Sequence, residues 1–281
     1  MSQPARLTSV LLNLVLLSSP LCRSQNPQVD LPTPTPSTLA ELRSRVERGQ
    51  PGAQFELGFL YEKGKGVVQD YGRAAVLYRS AAEHGHATAA NNLGLLYDHG
   101  WGVHKDLREA ARWYQSAAER GDPTGQCNLA SLYFSGRGVQ RDYAQAAKWF
   151  RASAEQGLPA AQNNLAYMYY NGTGVSLNYS EAAKWTKRAA EQGYAIAQTD
   201  LGFLYEQGKG VTLDYSTAYM WYLLGKRGGD PRGGERMKSL STLLRPKQVN
   251  DARTRAALWA PAKESSVFFD DARAGLASLE N

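Results

Sequence analysis

A strict internal period decides what this chain can fold into. Gly49, Gly85, Gly121, Gly157 and Gly193 fall thirty-six residues apart without slippage, as do Tyr61, Tyr97, Tyr133, Tyr169 and Tyr205. Leu57, Leu93, Leu129, Leu165 and Leu201 keep the same step. So do Gly66, Gly102, Gly138, Gly174 and Gly210, each followed by Val. Four registers held over five units exclude coincidence and predict an array in which one supersecondary unit buries its apolar face on its neighbours. An elongated array also accommodates 281 residues, more than a single core usually holds.

Each unit reads as two helices. In the second, Ala89, Leu93, Leu96 and Tyr97 put an apolar stripe on a first helix, A. Gly100 and Gly102 then stop it, because glycine enters the left-handed region without a Cβ penalty. Asp106 is placed to cap a second helix, B, and Asp70, Asp142, Asn178 and Asp214 fill the same slot elsewhere. Helix B carries Ala110, Ala111, Ala117 and Ala118 around Trp113 and Tyr114, small residues for close approach and aromatics to fill the gaps. Gly121 ends it. Hydrophobic residues make up 43% of the chain, which excludes wholesale disorder. The net charge of +6 comes from Lys and Arg spread evenly among acids, a solvated surface and not a nucleic-acid groove.

The ends differ from the repeats. Residues 1–24 read as an export signal: Arg6 gives the positive start, Leu7 to Leu17 the apolar stretch, and Ser18 to Ser24 the cleavage region. No later segment approaches the ~20 apolar residues of a membrane span. Residues 25–37 are a Pro-rich linker. Residues 38–50 are expected to form an N-terminal capping helix opened by a Thr38–Glu41 capping box. The five repeats occupy 51–230, and Arg232–Leu244 and Pro246–Trp259 form closing helices within 231–260. In the tail, 261–281, Phe268 and Phe269 either cover the last apolar face or dock into the solenoid. Export places the protein in a bacterial periplasm or outside the cell. The sequons Asn171-Gly-Thr173 and Asn178-Tyr-Ser180 keep the endoplasmic reticulum lumen as an alternative. With the leader removed, Cys127 is the only cysteine, so no internal disulfide is expected and Cys127 reads as a packed side chain.

The pattern A-x-x-x-LG-x-LY-x-x-G-x-GV-x-x-D-Y-x-x-A-x-x-W-Y-x-x-AAE-x-G, running from Pro51 to about Asp230, closely resembles the Sel1-like repeat family, relatives of tetratricopeptide repeats. The resemblance implies an all-α, right-handed solenoid with capping helices. It also implies use as an adaptor, assembly factor or regulator, in bacteria (often exported) or in the eukaryotic endoplasmic reticulum. Ala130 and Ala166 depart from the family's helix-A glycine, and Asn178 from its capping Asp.

Functional residues are sought where the repeat frame leaves freedom. Before the fixed Leu stand Glu56, Asn92, Asn128, Asn164 and Asp200, and before those Phe55, Asn91, Cys127, Asn163 and Thr199. Two after it come Phe59, Leu95, Ser131, Tyr167 and Phe203. At ~100° per residue the first set lies on the flank of helix A and the others point away from the core. Resemblance to tetratricopeptide repeats places these positions on the concave face. The candidate partner-binding residues are Asn91, Asn92, Asn128, Asn163, Asn164, Phe59, Tyr167, Tyr170, Asp200 and Phe203. Asn offers donors and an acceptor to the backbone of an extended ligand, and the aromatics offer apolar anchors. The same Asn ladder could instead tie adjacent helices together. The expected partner is a protein or extended peptide, not a nucleic acid.

Catalytic readings find little support. G-x-G-V lacks the preceding strand and the G-K-[ST] ending of a phosphate loop. His84 and His86 lie at one end of the hairpin and His99 and His104 at the other, about 20 Å away at ~1.5 Å per helical residue, so no metal site is expected. No cofactor is implied. Some cysteine-rich relatives resemble penicillin-binding or β-lactamase-like proteins, which leaves β-lactam binding as an alternative. Their cysteine pair in each repeat is absent here, and so is S-x-x-K. The chain reads as a non-enzymatic scaffold.

Overall fold

The computed structural model describes residues 33–261. The expected leader, residues 25–32 of the linker and the Phe268–Phe269 tail lie outside them. Among the described residues there are thirteen α-helices and no strand. The first is α1 (Pro36–Glu47). The A helices are α2 (Pro51–Lys63), α4 (Ala87–His99), α6 (Pro123–Ser135), α8 (Pro159–Asn171) and α10 (Ala195–Gln207). The B helices are α3 (Tyr71–Glu83), α5 (Leu107–Glu119), α7 (Tyr143–Glu155), α9 (Tyr179–Glu191) and α11 (Tyr215–Arg227), and α12 (Pro231–Ser241) and α13 (Pro246–Leu258) close the array. Each helix packs mainly on those before and after it in the chain, as a solenoid requires. In addition, α4 reaches α6 directly, and α13 is the exception, packing on α11 and not on α12.

Local chemistry sets the helix ends. The Asp70 carboxylate accepts from the Arg73 N–H at 2.9 Å, Asp142 from Gln145 at 3.0 Å, and the Asn178 side-chain oxygen from Glu181 at 3.1 Å. Each such cap stabilises its helix by about 1 kcal/mol. Helix A ends on a left-handed glycine; at Gly100 φ is 77° and its N–H donates to the Leu96 carbonyl at 2.8 Å. The second glycine of G-x-G-V does something the sequence reading did not foresee. A Cβ on Gly102 would collide with the backbone of Tyr71 and Gly72, at the start of helix B one repeat earlier, and Gly138 meets Leu107 in the same way. This glycine, left-handed as expected with φ 67° at Gly102, is therefore a condition of repeat stacking as well.

Glutamines make a further joint. Gln126, Gln162 and Gln198 donate from their side-chain amides to the carbonyls of Ala118, Ala154 and Ala190, at 3.2, 3.2 and 3.3 Å. These carbonyls sit in the last turn of the preceding helix B, where each also accepts from the glycine N–H three residues on, at 3.0 Å.

The N-terminal helix packs Leu42, with Leu39 and Val46, against Leu57 and Leu60. It begins two residues earlier than expected. Thr35 is its N-cap, accepting from the Thr38 N–H at 3.3 Å, and Pro36 supplies a first-turn φ already set for a helix. At the other end Pro246 opens α13, and Leu240, Ala252 and Ala256 bury against the last repeat. Cys127 is fully buried in α6, as a packed side chain should be. The expectation of no disulfide concerned the chain without its leader; in the full chain Cys127 is disulfide-bonded.

Candidate functional site on the helix-A face

A second internal register builds the site. Tyr78, Tyr114 and Tyr222 are fully buried on helix B, each with its ring laid on the glycine of its own helix A. A Cβ on Gly58, Gly94 or Gly202 would approach those rings to 2.9, 2.6 and 2.7 Å. Where helix A carries Ala130 or Ala166 instead, the residue thirty-six positions along the tyrosine series is Phe150 or Thr186. Thr186 has no ring, and a cavity of about 20 Å³ opens beside it. Its walls come from α8 (Asn163, Ala166, Tyr167, Tyr170), α9 (Ala182, Thr186) and α10 (Asp200, Phe203, Leu204).

The fourth repeat also changes the group facing that ring position. Glu62 accepts from the Tyr78 hydroxyl at 2.7 Å, and Glu206 accepts from Tyr222. The corresponding residues are Asp98, Phe134 and Tyr170 in the middle repeats. Thus repeat four replaces a tyrosine–acid pair by an aromatic wall and a small void.

Asp200 dominates the electrostatics. It is 6% exposed, and one of its oxygens, Oδ1, accepts from Arg232 of α12 at 3.1 Å. Arg232 is shared with Asp230, whose Oδ2 it approaches to 2.6 Å. The Asp200 Oδ2 and the Asn163 Oδ1 are both buried without a hydrogen-bond partner. Burial pushes the Asp200 carboxyl up to about 6, against the opposing pull of Arg232 and of an Asn163 hydrogen bond. Around the cavity Tyr170 contacts Phe203 with ring centroids 6.2 Å apart, and Tyr167 meets Phe134 at 6.1 Å. Lys209 donates to the Tyr170 hydroxyl at 2.7 Å, and Arg236 lies 5.4 Å over Phe203.

Five of the ten candidate residues therefore meet at one place: Asn163, Tyr167, Tyr170, Asp200 and Phe203. The others do not join them. Asn128 donates to Asn91 at 2.9 Å, a fully buried bond tying α6 to α4. Asn92 is half-buried and hydrogen-bonds Tyr78. Asn164 is buried and has a partner. Phe59 is half-buried beneath Lys63, 5.4 Å over its ring. The expectation that the Asn91 series points away from the core is corrected. Asn91, Cys127, Asn163 and Thr199 are all nearly inaccessible, because neighbouring A helices lie side by side and bury them. Two cross-repeat links run diagonally, from Asn128 to Asn91 and between Asn163 and Asp200.

Phe134, Thr186, Lys209 and Arg232 were missed. The sequence held one usable signal for them, the break in the tyrosine register at Thr186. The histidines do local work: His86 caps α4, its Nδ1 accepting from the Ala89 N–H at 3.2 Å, and stacks on Phe55 at 4.5 Å. Burial lowers its pKa.

The pattern that defines the Sel1 repeat matches residues 51–86, 87–122, 123–158, 159–194 and 195–230. A crystal structure of c5321, a protective antigen of uropathogenic Escherichia coli with an SLR fold, is 34% identical at a TM-score of 0.70 over 78% of this chain. The aligned part is only 48% of that protein, so this chain spans about half its length. A Sel1 repeat protein from Oxalobacter formigenes is 33% identical at a TM-score of 0.64, covering 69% of this chain and 79% of that one. No curated protein matches the chain. With five consecutive matching units stacked as an all-α solenoid, the chain belongs to the Sel1 repeat family.

Proposed function

We propose that this protein is a non-enzymatic scaffold that holds an extended segment of a partner protein along the helix-A face, in an extracytoplasmic compartment. The Sel1 solenoid is commonly an interaction scaffold and typically non-catalytic. The observation that carries the finer reading is the junction of repeats four and five. Half-buried Tyr167 and Tyr170 flank a largely apolar cavity, with Asn163 and Asp200 buried in its wall. Aromatic anchors beside a well-packed, desolvated pocket are the usual composition of a binding hot spot. The rest of the Asn ladder is assigned to the joint between helices, since Asn128 donates to Asn91 across them. The extracytoplasmic placement rests on the leader-like pattern of residues 1–24.

The test is partner capture from the native source with wild type and Tyr167→Glu. Tyr167 is half-buried and makes no hydrogen bond to the core, so the variant should keep its helical signal while placing a charge among the aromatics. A partner retained by wild type and lost by the folded variant is expected. Equal retention by both would move the interface off this face.

A further inference from the structure

We infer that the edge of the solenoid formed by the A–B turns of repeats four and five and by the α12–α13 turn is a lipid-facing ridge that seats the protein on an anionic bilayer surface. The ridge is a different surface from the helix-A face, and the inference does not depend on what binds there.

Turn stacking builds this edge. The second glycine after helix A meets the first residue of helix B one repeat earlier, Gly174 against Tyr143 and Gly210 against Tyr179, so consecutive A–B turns lie side by side in one row. Pro231 opens α12 thirty-six residues after Ala195 opens α10, which puts α12 in the place of a sixth helix A. The Ser216 hydroxyl donates to the Gln248 carbonyl at 3.4 Å and brings the start of α13 to the start of α11. The α12–α13 turn therefore continues the row.

Exposed apolar side chains collect on it. Of the seven large hydrophobic residues exposed among the described residues, five stand on this edge: Val68, Tyr143, Leu177, Leu213 and Leu243. Leu177, Leu213 and Leu243, at 56%, 52% and 56% exposure, occupy three consecutive turns. The turn itself does not require leucine, because Gln69, Lys105 and Arg141 hold the place of Leu177 and Leu213 in the first three repeats.

Charge selects what the leucines meet. Of the chain's 32 Lys and Arg and 26 Asp and Glu, residues 226–258 hold nine and three, so the whole excess of +6 lies there and the rest balances. This corrects the even spread expected above. Arg232 and Arg236 are paired with Asp200, Asp230 and Glu206. Lys238, Arg245 and Lys247, which flank Leu243 in the chain, are exposed and form no ion pair among the described residues. Such cations attract an anionic surface. The spacing favours lipid over a protein. Packed helices lie about 8–10 Å apart, so the leucines are separate points along a convex row of turns. A stable protein interface needs about 800 Å² of matched surface on each side. A bilayer takes up single apolar tips without matching shape, while Lys and Arg stay at the headgroups.

The test sediments the full-length protein with vesicles of phosphatidylcholine alone or of equimolar phosphatidylcholine and phosphatidylglycerol. Wild type should partition onto the anionic vesicles more strongly by about tenfold or more. Leu177→Gln with Leu213→Gln, which copies Gln69 of the first repeat, should lose about tenfold or more of that partition. Lys238→Gln with Arg245→Gln and Lys247→Gln should lose as much. Val76→Gln, on the exposed side of helix B, should match wild type. The leader pattern is common to all four chains, so its own affinity cannot separate them. Equal partition of wild type and both ridge variants, equal partition onto the two kinds of vesicle, or no binding by wild type would overturn the ridge. Far-UV circular dichroism checks each fold, and should one variant unfold, the other variant and the vesicle comparison still decide. If wild type ignores the vesicles while a photoprobe at position 213 captures a protein, the edge belongs to a protein partner and the lipid reading falls.

Discussion

Substituting Gly94 by Ala tests the packing logic of the repeat where two effects oppose each other. On helix propensity alone alanine is better by about 1 kcal/mol. In place, its Cβ would lie 2.6 and 2.7 Å from Cδ1 and Cε1 of Tyr114 and 3.3 Å from the Ala110 carbonyl oxygen. Real Cβ atoms do not tolerate contacts that short. The Tyr114 ring is fully buried in α5 and has nowhere to withdraw. Overpacking of this kind costs typically 1–3 kcal/mol, on top of offsetting the propensity gain. We expect a net loss of about 1–2 kcal/mol, read as a lower urea midpoint at unchanged slope. Adding Tyr114→Phe recreates the Ala130–Phe150 pair of the third repeat and should recover part of that loss, a coupling seen only between touching residues. If Gly94→Ala raises the midpoint, the glycine is not there to seat the ring, and the account of the cavity at Thr186 fails with it.

The same measurement should separate two tyrosines of one register. Tyr78→Phe removes a 2.7 Å bond to Glu62 and should cost about 1.5–3 kcal/mol, whereas the Tyr114 hydroxyl has no partner and Tyr114→Phe should be neutral or stabilising. Asp200 predicts a pH dependence. Its folded pKa of about 6 lies above the ordinary 3.8, so the folded state binds the proton more tightly, and this group's contribution falls as pH rises from about 4 to 6. About 2 pH units at 1.36 kcal/mol each amount to about 3 kcal/mol, a slope that Asp200→Asn should flatten in pH-stepped unfolding. Finally, the N-terminus and the thiol count are linked. A mature chain beginning at Gln25 should show one thiol per molecule under denaturing, non-reducing conditions. A chain retaining Cys22 should show none. Intact mass with and without alkylation distinguishes them.

The repeat, its helix pairs and its caps were legible because each depends on residue types fixed by backbone geometry. A left-handed helix end needs Gly, and an N-cap needs a short acceptor such as Asp70 or Asn178. The direction of the helix-A side chains was less legible. The angle between Leu93 and Asn91 on one helix is computable, but that Asn91 is covered depends on α6 lying beside α4. Angular position on a single helix cannot show burial by a helix thirty-six residues away. The cavity was half-legible: the change from Tyr to Thr186 is visible in the sequence, but its meaning needs the glycine–ring contact seen at Gly58, Gly94 and Gly202. Arg232 could not have been assigned to Asp200, because it comes from a closing helix outside the repeat frame.

The central claim, that partners lie along the helix-A face, is tested most directly by photocrosslinking from two points of the folded full-length protein. One probe replaces Tyr167 on that face, and the other replaces Val76, 68% exposed on helix B. A covalent adduct of defined mass from position 167 and none from position 76 is the predicted result. The reverse pattern would contradict the account and transfer recognition to the helix-B surface.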